Sequence, residues 1–435
     1  MITARAFTGK HYAVYGLARS GIATAEALLA SGARVTAWDA KAEARANAPS
    51  GTEIADLDEV DLSQFDSLVV TPGLPLNRHP IAKRARDAGV EIIGDIELFA
   101  RARPELPQHK VVGITGTNGK STTTALIHHI LKNAGVPTEM GGNIGLPILA
   151  QDPLPDGGVY VLELSSYQID LTQSLDCDVA VLLNITPDHL DRYDSFEAYA
   201  ASKARLFEMQ SFGRWRILGT DEPEGHRLWE NLRATGDVKG LWGRRAGDVG
   251  MESHFGDQVD WPALQGPHNA QNAAVAIAVS EALGVDEKAL VFALRTYSGL
   301  PHRMERVREK DGVLFVNDSK ATNPTATAPA LAAFDRIRWI CGGLAKTDNL
   351  DECAPNFDHV RKAYTIGEAS ELFARLLSPH MDVAECETLE RAVGEAAADA
   401  EAGDTVLLSP ACASFDQFRD FEQRGDRFRE LVGGL

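Results

Sequence analysis

Short apolar runs alternate with longer amphipathic stretches along most of this chain, and this alternation predicts an α/β fold. Runs rich in valine, leucine and isoleucine are typical of parallel strands that are covered on both faces. The clearest strands are predicted at residues 12–15, 34–38, 67–71, 159–163 and 179–185. Helices with an apolar stripe are predicted at residues 22–30, 121–134, 196–208 and 273–283.

Two proline-containing stretches, at residues 103–107 and 297–301, interrupt this alternation. Linkers of this kind mark domain boundaries. We therefore predict three domains, at residues 1–103, 104–298 and 299–435. In the third domain, the strands predicted at 313–316, 339–341 and 405–408 are expected to end at one edge of a parallel sheet.

The stretch around which the rest is organised is residues 111–122, a short apolar strand followed by a glycine-rich turn and a helix start. Glycine turns and helix N-termini present backbone N–H groups to an anion. Lys120 can neutralise phosphate charge and the Ser121 hydroxyl can ligate magnesium. The spacing departs from the generic phosphate-binding loop, because Ile114 stands where that pattern has its first glycine. The context of strand and helix still favours phosphate binding.

The first domain begins with another strand–turn–helix segment, whose turn is predicted at residues 16–21. Ala18 replaces the middle glycine of the dinucleotide fingerprint, which weakens a dehydrogenase interpretation. The turn favours a mononucleotide pyrophosphate near Arg19 and Ser20, and the alternative is a tight strand–helix connection without a ligand. The loop around Gly73 follows another buried strand, where open α/β sheets bind ligands.

Single polar residues at strand ends supply further candidates in the central domain. Glu163 ends a nearly all-apolar strand, where it either holds magnesium or caps the next turn. His189 follows the strand at 179–185 beside two acids, and a ligand and a structural role are about equally supported. Lys203 is predicted from the residues alone to be a solvated helix lysine.

Clusters of polar side chains also follow two apolar strands of the third domain. Residues 317–324 read Asn-Asp-Ser-Lys-Ala-Thr-Asn-Pro, and residues 409–418 follow another strand. Such clusters at strand ends favour a binding site over a solvated loop. Residues 268–272 begin a helix, where their Asn and His side chains either cap it or recognise a base edge.

Composition bounds the classes of function. A net charge of −19 argues against nonspecific nucleic-acid binding and against docking on an anionic membrane. Five cysteines without a Cys-x-x-Cys pair predict reduced thiols in a cytoplasmic protein. No apolar run approaches the ~18 residues of a membrane span, and we expect neither a secretory signal nor membrane insertion.

The chain resembles the Mur ligase family in Gly-Thr-Asn-Gly-Lys-Ser-Thr at 116–122, in His268-Asn269 and in Leu-Pro-His-Arg at 300–303. The resemblance covers essentially the whole length and implies a Rossmann-like first domain, a central phosphate-loop ATPase-like domain with a parallel or mixed sheet, and a Rossmann-like third domain. Residues 317–323 and 409–418 resemble the members that add D-glutamate to UDP-N-acetylmuramoyl-L-alanine. The Asp-Asn-Pro-Arg stretch of the diaminopimelate- or lysine-adding members is missing.

The resemblance implies a role for each matching position. The implied catalytic residues are Lys120, Glu163, His189, Lys203 and Lys320. ATP would be bound by Gly116, Thr117, Asn118, Gly119, Lys120, Ser121, Thr122, Asn272, Arg303 and Asp318. The uridine and muramoyl substrate and D-glutamate would be bound by Arg19, Ser20, Asp39, Gly73, Asn143, Ser165, Gln168, Thr322, Lys346, Ser414 and Phe421. Two magnesium ions would be held by Ser121, Glu163, His189 and Lys203, with Lys203 carbamylated.

The implied activity is ATP-dependent amide-bond formation through an acyl phosphate, in peptidoglycan precursor synthesis. Its partners would be UDP-N-acetylmuramoyl-L-alanine and D-glutamate, with the enzyme a cytoplasmic monomer that binds no nucleic acid. Two alternatives stay open: a related ligase that adds L-glutamate or another amino acid, and a nucleotide-binding regulatory protein without ligase chemistry.

Overall fold

The computed structural model describes residues 1–188, 192–235, 240–244 and 256–435. These residues divide into two compact units. The first unit contains Met1–Gly256 and Gln271–Leu294, and the second contains Asp257–Ala270 and Arg295–Leu435. The described residues form three sheets, and each sheet lies within one of the three predicted domain ranges. The boundaries near residues 103 and 298 stay predictions.

The first sheet has five parallel strands in the order β3-β2-β1-β4-β5. Its strands are β1 His11–Tyr15, β2 Arg34–Trp38, β3 Glu53–Ile54, β4 Ser67–Val70 and β5 Glu91–Ile93. After β1, the chain adds β2 and β3 on one side of β1 and then adds β4 and β5 on the other side. The turn after β1 therefore lies beside the loop after β4, at the point where α/β sheets bind nucleotides.

The second sheet has six parallel strands in the order β11-β10-β9-β6-β8-β7. Its strands are β6 His109–Thr115, β7 Thr138–Gly142, β8 Gly158–Glu163, β9 Val179–Leu182, β10 Trp215–Gly219 and β11 Leu241–Arg244. Every residue of β8 is buried, as expected for a central strand covered by helices on both faces. The central position of β6 places the phosphate loop between the ends of β8 and β9.

Helices cover both sheets of the first unit. They are α1 Arg19–Ala30, α2 Ala42–Ala46, α3 Pro80–Asp87, α4 Asp95–Ala102, α5 Lys120–Asn133, α6 Ser166–Asp170, α7 Phe196–Glu208, α8 Pro223–Ala234, α9 Pro267–Leu283 and α10 Glu287–Thr296. In α9 only the residues from Gln271 onward belong to this unit, and in α10 only those up to Leu294. One continuous cluster of buried side chains includes residues from both sheets, such as Val35 and Val111.

The second unit is built on a six-stranded sheet in the order β12-β13-β17-β14-β15-β16. Its strands are β12 Glu305–Lys310, β13 Val313–Asn317, β14 Ile337–Gly342, β15 Val360–Ile366, β16 Asp382–Glu387 and β17 Thr405–Leu408. Its helices are α11 Pro324–Ala332, α12 Ser370–Leu377, α13 Leu389–Asp399 and α14 Phe421–Gly434. Separate apolar clusters pack on the two faces.

The prediction that β13, β14 and β17 end at one edge of the sheet is confirmed, because β13 and β14 each pair in parallel with β17. The sheet is mixed, because β12 pairs with β13 in the antiparallel direction. Helix α14 runs through Gly425 without interruption. A Cβ at Gly425 would lie 2.0 Å from Nδ1 of His302, so the glycine makes room for a neighbouring side chain.

Two predictions from composition can be compared with the structure. All five cysteines are free and buried, which confirms that they form no disulfide frame. Among the described residues, no helix combines the length and the hydropathy needed to cross a membrane.

Candidate active site

The phosphate loop lies between β6 and α5, where the sequence predicts it. Gly116 and Gly119 have φ values of +152° and +81°, which side chains with a Cβ rarely adopt. A Cβ at Gly119 would lie 2.3 Å from Oδ1 of Asn272. Both glycines are therefore required by backbone geometry, and Asn272, predicted to bind ATP, lies directly against the loop.

Asn184, a residue that the sequence did not single out, lies just after the end of β9 and fixes the phosphate loop. Its carbonyl accepts the backbone N–H of Thr117 at 2.9 Å, and its Oδ1 accepts that of Asn118 at 2.8 Å. Its Nδ2 donates to the Asn118 carbonyl at 3.2 Å. The asparagine thus holds three consecutive peptide units, which sets the loop conformation before any phosphate arrives.

Two lysines converge on one carbonyl of the loop. Nζ of Lys120 donates to the Gly116 carbonyl at 2.9 Å and to the Thr117 carbonyl at 2.8 Å. Nζ of Lys203 donates to the same Gly116 carbonyl at 2.9 Å. Burial, followed by the positive charge of Lys120, lowers the pKa of Lys203 to about 7. Near neutral pH, much of the Lys203 amine is therefore uncharged.

The prediction that Lys203 is a solvated lysine was wrong, because only 1% of the residue is exposed. Lys203 lies on the buried stripe of α7 with Tyr199, Leu206 and Phe207, at helical spacings of three and four. The sequence carried this signal. A lysine on an apolar stripe is rarely buried without a function, because desolvating its charge is costly.

Tyr199 was also missed from the sequence. Its ring centroid lies 4.6 Å from Nζ of Lys203, and its hydroxyl lies 3.1 Å from Oγ1 of Thr117. The Thr117 hydroxyl donates to the Thr186 carbonyl at 3.1 Å, so the tyrosine hydroxyl is the donor to Thr117. Burial raises the pKa of Tyr199 to about 12, which keeps this donor protonated. Tyr199 therefore joins the lysine to the phosphate loop.

Glu163 ends β8 at the same sheet edge and is only 2% exposed. Its register partner on β6 is Ile114, two residues before Gly116. Oε1 accepts a hydrogen bond of 3.0 Å from Nδ2 of Asn143, whereas Oε2 is buried without a partner. A buried carboxylate oxygen without a partner is costly unless a cation or donor completes its site. The structure thus brings together Glu163, predicted to hold magnesium, and Asn143, predicted to bind the substrate.

The remaining predicted residues of the central domain differ in their surroundings. Ser121 is buried in the first turn of α5. Ser165 and Gln168 form a capping box at the start of α6, in which Oγ of Ser165 accepts the N–H of Gln168 at 3.2 Å and Oε1 of Gln168 accepts that of Ser165 at 3.1 Å. Their geometry is therefore fixed locally. Thr122 lies beside Ser121 on α5, and His189 lies outside the described residues.

At the edge of the first sheet, Asp39 follows β2 and anchors the turn after β1. Its Oδ2 accepts the N–H of Leu17 at 2.8 Å, and its Oδ1 accepts that of Lys41 at 2.9 Å. The sequence placed Arg19 and Ser20 in the turn, whereas they begin α1, with Arg19 exposed. Gly73 is exposed in the loop after β4.

In the second unit, Asp318 follows β13 and is 4% exposed. Its carboxylate accepts the N–H of Met304 at 3.1 Å and the hydroxyl of Ser409 at 2.8 Å. Burial raises the pKa of Asp318 to about 7, opposed by the Ser409 bond and by the nearby positive charge of Arg303. The structure thus brings the predicted pair Arg303 and Asp318 together.

The residues predicted to bind D-glutamate also occur as neighbours within this unit. Nζ of Lys346 donates to Oγ1 of Thr322 at 3.2 Å. Nζ of Lys320 lies 5.4 Å from the ring centroid of Phe421. Ser414 is buried, and its carbonyl accepts the backbone N–H groups of Gln417 and Phe418 at 3.2 and 2.8 Å. Two cationic side chains at one strand edge suit an acidic ligand.

Arg424 of α14, which the sequence did not single out, is 1% exposed and holds these loops. Its guanidinium donates to the hydroxyl and the carbonyl of Ser319 at 3.0 and 2.8 Å. It also donates to the carbonyls of Cys412 and Ala413 at 3.1 and 3.3 Å. Ser319 precedes Lys320 and Ala413 precedes Ser414, so one arginine positions both candidate residues.

Comparison with known proteins places this geometry in a family. Residues 10–94 match the model of the Mur ligase MurD-like N-terminal domain, 114–280 that of the Mur ligase middle domain, and 302–412 that of the Mur ligase glutamate ligase domain. The UDP-N-acetylmuramoylalanine–D-glutamate ligase of Novosphingobium aromaticivorans is 60% identical over 435 residues, covering 100% of this chain and 97% of the relative. The same-named enzyme of Sphingopyxis alaskensis is 57% identical and covers 100% of both chains.

A solved structure shares the fold at much lower identity. UDP-N-acetylmuramate-alanine ligase MurC from Thermotoga maritima aligns with a TM-score of 0.59 and 17% identity, over 98% of this chain and 99% of that one. Such a likeness concerns the fold alone. The full-length relatives are decisive, and they agree with the phosphate loop and strand-end residues described above: the chain belongs to the Mur ligase family.

Proposed function

We propose that this protein forms the amide bond between the alanine carboxylate of UDP-N-acetylmuramoyl-L-alanine and the amine of D-glutamate, with conversion of ATP to ADP and phosphate, in peptidoglycan precursor synthesis. The observation that carries the proposal is the phosphate loop with Lys120 and Lys203 on one carbonyl, at the same sheet edge as the partnerless oxygen of Glu163. The names of the full-length relatives support the choice of both substrates.

The chemistry explains why charge must be concentrated at this sheet edge. A carboxylate cannot form an amide directly, because hydroxide is a poor leaving group. The alanine carboxylate therefore attacks the γ-phosphorus of ATP, the bond to the β–γ bridging oxygen breaks, and ADP leaves. The D-glutamate ammonium group loses a proton to solvent, and the free amine then attacks the carbonyl carbon of the acyl phosphate. Phosphate leaves with the electrons of the C–O bond, and the nitrogen loses a second proton as the amide forms. Both substrates of the first step are anions, so Lys120 would reduce their repulsion.

Magnesium fits the donors on this edge. Glu163 offers a buried carboxylate oxygen without a partner, and Ser121 offers a hydroxyl in the first turn of α5. Oxygen donors are those that magnesium prefers. When bound, the ion would neutralise phosphate charge. Among the described residues, no group of three or more His, Cys, Asp or Glu side chains forms a complete metal site, and His189 is proposed as a ligand of a second ion.

Carbamylation of Lys203 is proposed from its environment. The neutral amine, not the ammonium ion, attacks carbon dioxide. The N–C bond forms, one C=O electron pair moves to oxygen, and the amine proton leaves to water. Burial and the neighbouring Lys120 both favour the neutral amine. The resulting carbamate would replace a desolvated cation with an anion beside Lys120 and would supply oxygen ligands for a second magnesium ion.

The other predicted residues are proposed to hold the three substrates. Gly116, Thr117, Asn118, Gly119 and Thr122 would surround the ATP phosphates, with Asn272, Arg303 and Asp318 at the nucleoside and phosphates. Arg19, Ser20, Asp39 and Gly73 would bind uridine diphosphate, and Asn143, Ser165 and Gln168 the muramoyl part. Lys320 would contact the transferred phosphate, and Thr322, Lys346, Ser414 and Phe421 D-glutamate. A cytoplasmic monomer that binds no nucleic acid is part of the same proposal.

The test is phosphate release from ATP in the presence of UDP-N-acetylmuramoyl-L-alanine and one amino acid at a time. D-glutamate is expected to support release, whereas L-glutamate, L-alanine and diaminopimelate are not. Lys120→Ala provides the blank, because it removes the phosphate-loop cation. Equal rates with D- and L-glutamate would refute the proposed acceptor and favour the alternative ligase. Nucleotide binding without release for any amino acid would favour a regulatory protein.

A further inference from the structure

Arg192 joins the central part of the first unit to the loop that follows β4 of the first sheet. Its Nη2 donates to the Leu74 carbonyl at 2.9 Å and lies 3.5 Å from the Pro72 carbonyl. Its Nη1 lies 3.4 Å from the Gly73 carbonyl. Three successive carbonyls therefore face one guanidinium. Arg192 has no other role in the proposed reaction.

The face of the guanidinium packs on an aromatic ring, which in turn stacks on a second ring. It lies 4.3 Å above the ring of Tyr167, on α6. Tyr167 stacks on Tyr193 with centroids 6.0 Å apart and ring planes 13° apart, and the Tyr193 hydroxyl donates to Asp170 at 2.8 Å. A planar guanidinium can stack with its face and donate from its edge at once, which an ammonium group cannot do.

The loop held by Arg192 lies beside the turn after β1, which is proposed to bind the nucleotide part of the substrate. The N–H of Leu74 donates to the Thr71 carbonyl at 3.0 Å, which closes a tight turn over residues 71–74. A Cβ at Gly16 would lie 2.4 Å from Oγ1 of Thr71, so this turn touches the turn after β1. With its carbonyls held by Arg192, the loop can turn its other side toward a bound nucleotide.

We infer that Arg192 is a positioning residue for the uridine diphosphate part of the substrate, and that it acts by fixing the carbonyls of residues 72–74 against Tyr167. This inference rests on the proposed function, since it assumes that Gly73 lies at the diphosphate. The arginine also connects this loop to α6, where Ser165 and Gln168 are proposed to hold the muramoyl part. One side chain thus aligns two regions of a long substrate.

Loss of the guanidinium is expected to affect binding more than folding. A cavity of about 160 Å³ lies next to it, lined by Leu74, Leu76, Tyr167 and Tyr193 among others. Water can enter this space and solvate the three carbonyls in place of arginine. Water does not hold the loop in one conformation, however, so the diphosphate would have to order it on binding.

The experiment compares full-length wild type with Arg192→Gln and Arg192→Lys. Arg205→Gln is the matched control, because Arg205 donates to two other carbonyls, those of Ile169 and Thr172, near the end of α6. Calorimetric titration with UDP measures binding without catalysis. Phosphate release gives KM for each of the three substrates, and thermal unfolding measures stability.

Arg192→Gln is expected to weaken UDP binding and raise KM for UDP-N-acetylmuramoyl-L-alanine, each by about tenfold, the effect of losing one or two hydrogen bonds. KM for ATP and D-glutamate and the Tm should stay at the wild-type values, and Arg205→Gln should bind UDP normally. Arg192→Lys should resemble Arg192→Gln. UDP affinity within twofold of wild type in both Arg192 variants would overturn the inference, as would full recovery by lysine.

The two proposals can fail separately. If wild type turns over the proposed substrates but Arg192→Gln binds UDP normally, only the role of Arg192 is wrong. If wild type binds UDP, Arg192→Gln binds it about tenfold more weakly, and no amino acid supports turnover, the positioning role stands and the proposed reaction is wrong.

Discussion

Lys203 provides the most informative test of the site, because its burial and its pKa make a quantitative prediction. A free lysine with a pKa of 10.5 is neutral in only about 0.03% of molecules at pH 7, whereas a pKa of about 7 makes about half of them neutral. Since only the neutral amine attacks carbon dioxide, the environment increases the reactive fraction by about a thousandfold. Lys203 should therefore be carbamylated at neutral pH while exposed lysines are not.

The pH dependence follows from the direction of this pKa shift. Below about pH 7 the Lys203 amine is protonated and unreactive, and the neutral fraction rises through about pH 7 to a plateau. At a fixed concentration of dissolved carbon dioxide, the rate of carbamylation should follow that curve. Labelling with ¹³C-carbon dioxide and carbon NMR measures it directly, with Lys203→Ala as the blank. A rate that still rises steeply between pH 8 and 10 would show an ordinary lysine pKa and would refute the argument.

The same residue should control turnover. Lys203→Ala is expected to lose at least about 10³-fold in phosphate release, as expected when an oriented charged group is removed from a catalytic site. ATP binding should survive, because the phosphate loop and Lys120 are intact. Addition of acetate or another small carboxylic acid should restore part of the activity by occupying the carbamate position. High activity of Lys203→Ala without added acid would contradict the carbamate role.

Three further variants test the structure around the site. Glu163→Gln should keep the bond to Asn143 but remove a buried charge, which raises the Tm measured without magnesium. It should lower turnover by about 10²-fold, and an unchanged dependence of turnover on magnesium would argue against a metal role. Gly119→Ala should destabilise the protein by about 1–3 kcal/mol in thermal unfolding, because φ is +81° and Asn272 blocks the Cβ. Gly157→Ala is the control that isolates the backbone cost, because its φ is +82° and no atom lies within 4 Å of the added Cβ. Arg424→Lys should leave buried carbonyls without donors, destabilise the protein by about 1–3 kcal/mol and raise KM for D-glutamate; equal changes in KM for all substrates would mean a general loss of folding.

The sequence was a good guide to the elements and to the residues that follow strands. Buried strands such as β8 are nearly continuous apolar runs, because both faces of a parallel sheet are covered. The phosphate loop could be predicted because its glycines are required by local backbone geometry. Local requirements of this kind are visible in any single sequence. Strands such as β15 and β16 were not singled out, because charged residues interrupt their apolar pattern.

The chemistry of the site was harder to predict where it depends on contacts across the sheet. Lys203 is distant in sequence from Gly116 and Lys120, so neither its hydrogen bond nor its lowered pKa could be derived from α7 alone. Asn184 and Arg424 act through backbone groups of other segments, and no residue pattern announces such bonds. Family resemblance assigned Lys203 a role, but the physical reason for it came from burial.

By itself, the sequence determined many of the strands and helices, the position of the glycine-rich phosphate loop and the polar residues at the strand ends, because these depend on near neighbours in the chain. Only the tertiary structure decided which of those residues share an environment. It placed two lysines on the Gly116 carbonyl, left one oxygen of Glu163 without a partner, and set Arg192 against three carbonyls of a distant loop. Charge, desolvation and hydrogen bonding act over ångströms in space, and sequence separation does not record those distances.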